Sequence, residues 1–215
     1  GLPQSYEKAV EWFRKSAEQN YANALNDLGS CYSDGLGVEK DVYAAVSYYR
    51  KAVELGYAPA KCNLGICYEL GEGVKKDFRQ AAKLYQDAAN QGFAKAQYYL
   101  GVCYDEGEGV KRNHKEAVAW YRKAADQGYV DALVNLGSCY YKGKGVSRDY
   151  GEAVKLYRKA ALQGNAIAQY NLGICYEYGD GVPRDREEAN RWYKMAAGQG
   201  DGTPKTDRDD VYYKR

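Results

Sequence analysis

Cysteine is the one residue type with reactive chemistry that recurs at a fixed interval in this chain. Five cysteines are 36 residues apart and a sixth lies outside the series: Cys31, Cys67, Cys103, Cys139, Cys175 and Cys62. Such a ladder could bind a metal ion or form disulfide bonds. Equivalent positions of stacked helical repeats, however, lie on the order of 10 Å apart, and a disulfide requires Cα atoms within about 7 Å. Because no Cys-x-x-Cys spacing occurs, we expect reduced packing residues rather than a metal or disulfide site.

The other residues that could support catalysis or bind a cofactor are isolated from one another. His114 is the only histidine, has no nucleophile or metal ligand at a useful spacing, and is expected at the surface. Five Gly-x-Gly sequences lack the preceding strand and the Lys-Ser/Thr of a nucleotide-binding loop, so they predict turns. The sequence therefore predicts no catalytic residue, no cofactor and no metal ion, and a protein that is not an enzyme.

These residues are carried by repeats of 36 residues. A Leu-Gly-x-Cys-Tyr segment occurs five times without gaps, beginning at Leu28, Leu64, Leu100, Leu136 and Leu172. Each segment is followed by Gly-x-Gly-Val, then by Asp or Asn, by Ala four residues later, and by Tyr after a further four. Chance does not keep a dozen positions in register five times, so the repeat governs the fold.

Each repeat is predicted to form two helices. Small or apolar residues recur at helical spacing up to the Gly-x-Gly, where positive φ values would end the first helix. The Asp or Asn then caps a second helix, which ends at Gln-Gly or its equivalent. A single helix pair cannot bury its apolar faces, whereas stacked pairs can. We therefore expect an all-α fold, a right-handed α-solenoid of helix–turn–helix repeats.

The solenoid is predicted to span residues 1–201. It comprises a half repeat and five full repeats, at residues 5–21, 22–57, 58–93, 94–129, 130–165 and 166–201. In the half repeat, Asn20 replaces the terminal glycine, which a left-handed conformation would allow. The polar residues 202–215 do not match a sixth first helix, and we expect them to form a C-terminal tail.

The repeat resembles that of the Sel-one-like repeat (SLR) family. Residues 166–200 show nearly all of its pattern, with Met195 where Lys is usual: Ala-x-Ala-Gln-Tyr-Asn-Leu-Gly-x-x-Tyr-x-x-Gly-x-Gly-Val-x-x-Asp-x-x-x-Ala-x-x-Trp-Tyr-x-Lys-Ala-Ala-x-Gln-Gly. The Gly-x-Gly-Val-x-x-Asp linker separates it from ordinary tetratricopeptide repeats, which have 34 residues. The resemblance implies a tetratricopeptide-like superhelix that acts as an adaptor or scaffold in protein–protein interactions.

Two other functions are alternatives to an interaction module. One branch of the family is cysteine-rich and disulfide-bonded, which makes a cysteine-rich-repeat hydrolase or β-lactam-binding protein an alternative. Its disulfides pair two cysteines within one repeat, and the pattern in this chain does not, so that activity is not carried over. The regularity of the repeats and the unlike ends also fit an engineered solenoid scaffold without a natural partner. A count of free thiols tests the first alternative, and a search for peptide binders tests the second.

By analogy with tetratricopeptide units, certain positions of each first helix should line the concave side of the solenoid and bind a partner. The expected residues are Asn63, Ile66, Glu69, Leu70, Tyr98, Tyr99, Val102, Asp105, Glu106, Asn135, Tyr141, Tyr170, Asn171, Ile174, Glu177 and Tyr178. Their aromatic, aliphatic and acidic character favours a protein or peptide with apolar and basic residues. The alternative is that Tyr98 and Tyr170 only pack between adjacent first helices. The aromatic and basic end of the tail, Val211–Arg215, could itself bind this face of a neighbouring copy.

Composition argues against several other partners. The chain has 215 residues, and 31 basic and 29 acidic residues give it a net charge of +2, which does not support binding to nucleic acid or an anionic membrane. Apolar runs are a few residues long, too short to span a bilayer. No signal peptide is visible in this sequence, although it opens without Met and a targeting segment could have preceded it. Reduced thiols then favour a cytoplasmic location.

Overall fold

The computed structural model describes residues 6–198, and the chain is α-helical throughout this range apart from short connections. Eleven helices follow one another with no strand among the described residues, which confirms the predicted all-α solenoid class. Ser5, which occupies the cap position of the half repeat in the sequence, and the tail 202–215 lie outside the described residues. The helices are α1 (Tyr6–Glu18), α2 (Ala22–Asp34), α3 (Val42–Glu54), α4 (Ala58–Leu70), α5 (Phe78–Ala89), α6 (Ala94–Glu106), α7 (His114–Asp126), α8 (Val130–Lys142), α9 (Tyr150–Ala161), α10 (Ala166–Tyr178) and α11 (Arg186–Ala197).

The first helix of each repeat, which is α2, α4, α6, α8 or α10, ends at a glycine. In α4 the N–H of Gly71 donates to the carbonyl of Cys67, and Gly71 has a φ of 79°. The second glycine, Gly73, has a φ of 67°, and a Cβ at this residue would lie 2.4 Å from the carbonyl oxygen of Val42. The first glycine therefore ends the helix, and the second lets the chain pass against the N-terminus of the preceding second helix.

The second helix of each repeat begins at a side-chain cap. Asp77 Oδ1 accepts hydrogen bonds from the backbone N–H of Arg79 at 2.9 Å and of Gln80 at 3.1 Å. The side chains that cap α3, α7, α9 and α11 are Asp41, Asn113, Asp149 and Asp185. After α1, Asn20 has a φ of 59°, which confirms the left-handed conformation predicted for it. Local chemistry thus fixes where each helix begins and ends.

The described residues divide into two compact units. The N-terminal unit comprises residues 6–103 and 107–111, and the C-terminal unit comprises residues 104–106 and 112–198. In the N-terminal unit α2 packs against α3 and α4 against α5, and in the C-terminal unit α8 packs against α9 and α10 against α11. The core of each unit combines alanines and leucines with a buried second-helix tyrosine, such as Tyr85 or Tyr157. Stacked pairs therefore bury apolar faces that a single pair would expose.

Candidate functional site

Half of the residues expected to contact a partner are buried. These are Tyr98, Val102, Asp105, Asn135, Tyr141, Tyr170, Asn171 and Ile174. The exposed fraction is 2% for Tyr98 and 0% for Ile174, so a partner cannot reach these side chains without displacing their neighbours. For Tyr98 and Tyr170, burial supports the alternative that they pack inside the fold. The expected surface is therefore narrower than the helix-face analogy indicated.

The other half of the expected residues are accessible to a partner. Asn63, Ile66, Glu69, Tyr99, Glu106 and Glu177 are half-buried, and Leu70 and Tyr178 are exposed. The reason for partial burial is visible in the N-terminal unit, where Asn63 Nδ2 on α4 donates to Asn26 Oδ1 on α2 at 2.9 Å. The first helices of neighbouring repeats thus contact one another, through positions offset by one residue in the repeat, and each helix covers part of the next.

Two of the three accessible carboxylates near the ends of first helices are held by tyrosines of the second helices. In the N-terminal unit the Tyr85 hydroxyl donates to Glu69 Oε2 at 2.6 Å. In the C-terminal unit the Tyr193 hydroxyl donates to Glu177 Oε2 at 2.7 Å. Burial, followed by the charge of Glu69, raises the pKa of Tyr85 far above its ordinary value, so the phenol remains protonated and can donate. Each carboxylate is therefore held in a defined position, and the next residue in the sequence, Leu70 or Tyr178, is exposed.

Asp105 is the most buried of the expected acidic residues, with 6% exposure, and it has two charged or titratable neighbours. His114 Nδ1 lies 2.9 Å from Asp105 Oδ1, and Lys144 Nζ lies 2.9 Å from Asp105 Oδ2. Because the carboxylate can only accept, Nδ1 is the ring nitrogen that carries the proton. The sequence placed His114 at the surface, and the structure shows it half-buried in a hydrogen bond. The Gly-x-Gly turn brings it to Asp105, nine residues earlier.

A polar pocket of about 220 Å³ lies beside Asp105 in the C-terminal unit. Its walls present a carboxylate, two ammonium groups, an amide, two hydroxyls and a thiol, from Asp105, Lys142, Lys144, Asn135, Tyr121, Ser138 and Cys139. Sequence reasoning considered first-helix positions and therefore missed Lys144, which lies in the following loop. A comparison of each position across the five repeats could have found it, because only this repeat has Lys at residues 142 and 144.

The cysteines are buried packing residues in this structure. All six lie in the described range, and each is free and buried. Burial is the largest cause that raises the pKa of Cys62, Cys103, Cys139 and Cys175 to about 12. A thiol with such a pKa is almost fully protonated at neutral pH and is a poor nucleophile or metal ligand. The arrangement gives no support to the disulfide-bonded hydrolase alternative.

The described residues contain neither a metal-binding cluster nor a membrane-spanning helix. No group of three or more His, Cys, Asp or Glu side chains is arranged to hold a metal ion within residues 6–198. Across the same residues, no helix combines the length and the apolar character needed to cross a membrane.

Comparisons with known proteins identify the repeat. The Sel1 repeat profile matches residues 1–21, 22–57, 58–93, 94–129, 130–165 and 166–201. The crystal structure of a Sel1 repeat protein from Oxalobacter formigenes is 40% identical, with a TM-score of 0.84 over 91% of this chain and 78% of that chain. The crystal structure of c5321, a protective antigen of uropathogenic Escherichia coli strains with an SLR fold, is 39% identical, with a TM-score of 0.83. It covers 91% of this chain and 42% of that chain, so this chain spans less than half of that relative.

A more distant structure shares the fold alone. It is the immunity protein Pa5087 from Pseudomonas aeruginosa, which is 24% identical, with a TM-score of 0.61 over 90% of this chain and 74% of that chain. No curated protein sequence matches the chain significantly. Sel1 repeat proteins generally mediate protein–protein interactions and are typically not catalytic. Since the repeat profile covers residues 1–201 and a structure 40% identical covers 91% of the chain, this chain belongs to the Sel1 repeat family.

Proposed function

We propose that this chain is a non-catalytic interaction module, an adaptor or scaffold, that binds a peptide or protein segment along the first helices of its repeats. One observation carries the proposal: near the ends of two first helices, a carboxylate held by a tyrosine is followed in the sequence by an exposed leucine or tyrosine. In the N-terminal unit the pair is Glu69 and Leu70, and Leu70 is 57% exposed. In the C-terminal unit the pair is Glu177 and Tyr178, and Tyr178 is 38% exposed.

Such a pair suits a partner that combines an apolar with a basic residue. A carboxylate that is already held in place loses little conformational freedom when it binds a cation, and that favours affinity. An exposed leucine or tyrosine gains by covering its apolar surface, and aromatic side chains are common anchors of protein interfaces. The partner proposed here therefore keeps the apolar and basic character that the sequence predicted.

Selection from a random peptide library on the immobilised full chain tests this function. We expect enriched peptides to carry Lys or Arg next to Leu, Phe or Tyr. The double variants Glu69→Gln/Leu70→Ala and Glu177→Gln/Tyr178→Ala should each weaken binding of those peptides by about tenfold or more. Gln can still accept the tyrosine hydrogen bond, so the fold should tolerate both variants.

The matched control for these variants removes a carboxylate and an apolar side chain from a different surface. Glu54 and Leu55, at the end of α3, are adjacent and exposed, and Leu55 is 52% exposed. The double variant Glu54→Gln/Leu55→Ala should bind the selected peptides as the original chain does. Failure to select any peptide, or an equal loss of binding in the control, would contradict the proposed function.

One candidate segment belongs to the chain itself. Val211–Arg215 combines tyrosines with Lys214 and Arg215, the chemistry proposed for the partner, and it lies outside the described residues. We propose that this segment binds the same surface of a neighbouring copy. Deletion of residues 202–215 should then abolish a self-associated form in sedimentation experiments. A monomer whether or not these residues are present would rule out this partner.

A further inference from the structure

The pocket beside Asp105 is open because a small side chain, Ser138, lies in its wall. Ser138 occupies the position that Ile66, Val102 and Ile174 hold in three other repeats. An isoleucine at this position would fill part of the 220 Å³ with apolar atoms. The pocket therefore depends on the amino acid at one position of a helix pair that recurs through the chain.

The same position has a hydrogen-bonding neighbour on the second helix. In the first repeat the equivalent Ser30 Oγ lies 3.2 Å from the Tyr49 hydroxyl. In the fourth repeat the Tyr157 hydroxyl is fully buried and adjoins the Ser138 side chain, which interacts with it without completing a regular hydrogen bond. Ser138 also lines the pocket, so at this position the fourth repeat presents a hydroxyl where three other repeats have isoleucine or valine.

Basic side chains distinguish this repeat from the others. Lys142 is exposed beside the pocket, and the side chain of Lys144 is 32% exposed. The residues equivalent to Lys142 are Asp34, Leu70, Glu106 and Tyr178. The residues equivalent to Lys144 are Leu36, Glu72, Glu108 and Asp180. The chain therefore has two ammonium groups where its other repeats have apolar or acidic side chains.

The charge around the pocket favours an anion. Among the described residues Asp105 is the one carboxylate in the pocket walls, and its oxygens face His114 and Lys144. Lys142 and Lys144 have interactions with other residues as well, but the walls themselves carry two ammonium groups and one carboxylate. A Lys or Arg side chain entering the pocket would meet both lysines, whereas a carboxylate could accept from them and from the buried Asn135 and Ser138.

We infer that this pocket binds a carboxylate of the partner segment, either an Asp or Glu side chain or a free C-terminus. The inference rests on the proposed function and adds a requirement to it: the partner has an acidic group in addition to its apolar and basic residues. The volume corresponds to the liquid share of about seven water molecules. That is enough for a carboxylate with its adjoining methylene groups, and it is too small for a folded element.

Three short peptides distinguish the possible sources of the carboxylate. The first is acetyl-Ala-Leu-Glu-Leu-Ala-amide, the second replaces its Glu by Gln, and the third is the Gln peptide with a free C-terminus. Each is titrated into the ¹⁵N-labelled full chain, and the amide signals of Asn135 and Ser138 are followed by NMR. We expect saturable shifts with the first or the third peptide and none with the second. The responding peptide identifies the source, a side chain or a C-terminus.

Variants test whether the pocket is the site. Ser138→Ile should lower affinity for the responding peptide by about tenfold or more because it fills the pocket, and Ile66 and Ile174 show that the repeat accommodates this residue. Lys142→Gln should lower the affinity for this peptide by a similar factor. It leaves His114 and Lys144, the two neighbours of Asp105, in place. Lys159→Gln, which removes an exposed charge from α9, is the matched control and should bind normally.

Several results would overturn the inference. They are the absence of saturable shifts with both carboxylate peptides, whether or not inorganic phosphate binds, equal shifts with the Gln peptide whose ends are blocked, or normal binding by Ser138→Ile. These results differ from failure of the proposed function. If library peptides bind through Glu69 and Leu70 with no need for an acidic residue, the inference fails and the function stands. If carboxylate peptides bind the pocket and the library gives no binder, the proposed function fails and the pocket remains a carboxylate site.

Discussion

The ring of Tyr85 lies directly against the backbone of Gly65. A Cβ added to residue 65 would be 2.6 Å from Cε1 of Tyr85, a separation that real Cβ atoms essentially never show. The same relationship recurs between first and second helices of three other repeats, in the pairs Gly29–Tyr49, Gly137–Tyr157 and Gly173–Tyr193. The glycine of the Leu-Gly-x-Cys-Tyr segment is therefore required for packing, because a helix interior would otherwise favour alanine.

Gly65→Ala should destabilise the chain. Alanine gains about 0.5–1 kcal/mol in a helix interior, but overpacking a core typically costs about 1–3 kcal/mol, and the fully buried Tyr85 ring has little room to move. We expect a net loss, measured as a lower urea midpoint. The double variant Gly65→Ala/Tyr85→Leu should lose less than the sum of the single variants, because it removes the clash. Strict additivity would show that the contact is not the cause.

The tyrosine hydroxyls of different repeats should contribute unequally to stability. Tyr85→Phe removes a hydrogen bond to a carboxylate, and such bonds contribute about 1.5–3 kcal/mol to the free energy of unfolding. Because Glu69 is half-buried and partly solvated, we expect a loss toward the lower end of this range. Tyr157 is the matched control, since its hydroxyl is buried and completes no regular hydrogen bond among the described residues. Tyr157→Phe should leave the free energy of unfolding unchanged within about 0.5 kcal/mol or raise it. Equal losses in the two variants would contradict this difference.

The fold followed from the sequence because local chemistry fixes the helix boundaries. The first helices begin at the residues that the repeat pattern predicted, from Ala22 to Ala166, and each ends at the predicted glycine. The Asp or Asn of each linker caps the second helix, as expected. A glycine with positive φ and a cap that accepts backbone hydrogen bonds act within a few residues, so the sequence shows them directly.

The candidate site followed from the sequence only in part, because burial depends on residues far away in the chain. The helix-face analogy assigned Tyr98 and Ile174 to an open surface, and the structure buries both. The contact between Lys144 and Asp105 joins residues 39 positions apart, and His114 reaches the same carboxylate across a turn. No periodicity within one helix encodes such contacts. Comparison of equivalent positions across repeats, as at Ser138 and Lys144, is the signal that indicates them.

The cap of α5 offers a test of the helix boundaries. Asp77→Ala leaves the N–H groups of Arg79 and Gln80 without their acceptor and should lower the free energy of unfolding by about 1 kcal/mol. Asp77→Asn keeps an acceptor at the same position and should cost less. Thermal or urea unfolding of the three proteins measures the difference. An equal loss in both variants would indicate that charge, not the cap hydrogen bonds, is what matters at this residue.

The buried thiols predict a loss of stability at alkaline pH. Burial raises the pKa of Cys139 from 9.0 to about 12, so between these values an unfolded chain releases a proton that the folded chain keeps. Its contribution is fully present below pH 9 and falls by about 1.4 kcal/mol for each pH unit through this window. Cys62, Cys103, Cys175 and Tyr49, each with a pKa near 12, add losses of the same sign. Urea midpoints should therefore fall from pH 9 to 11. Cys139→Ala should be less stable at pH 7 and show a shallower fall, and an identical slope would contradict the assignment.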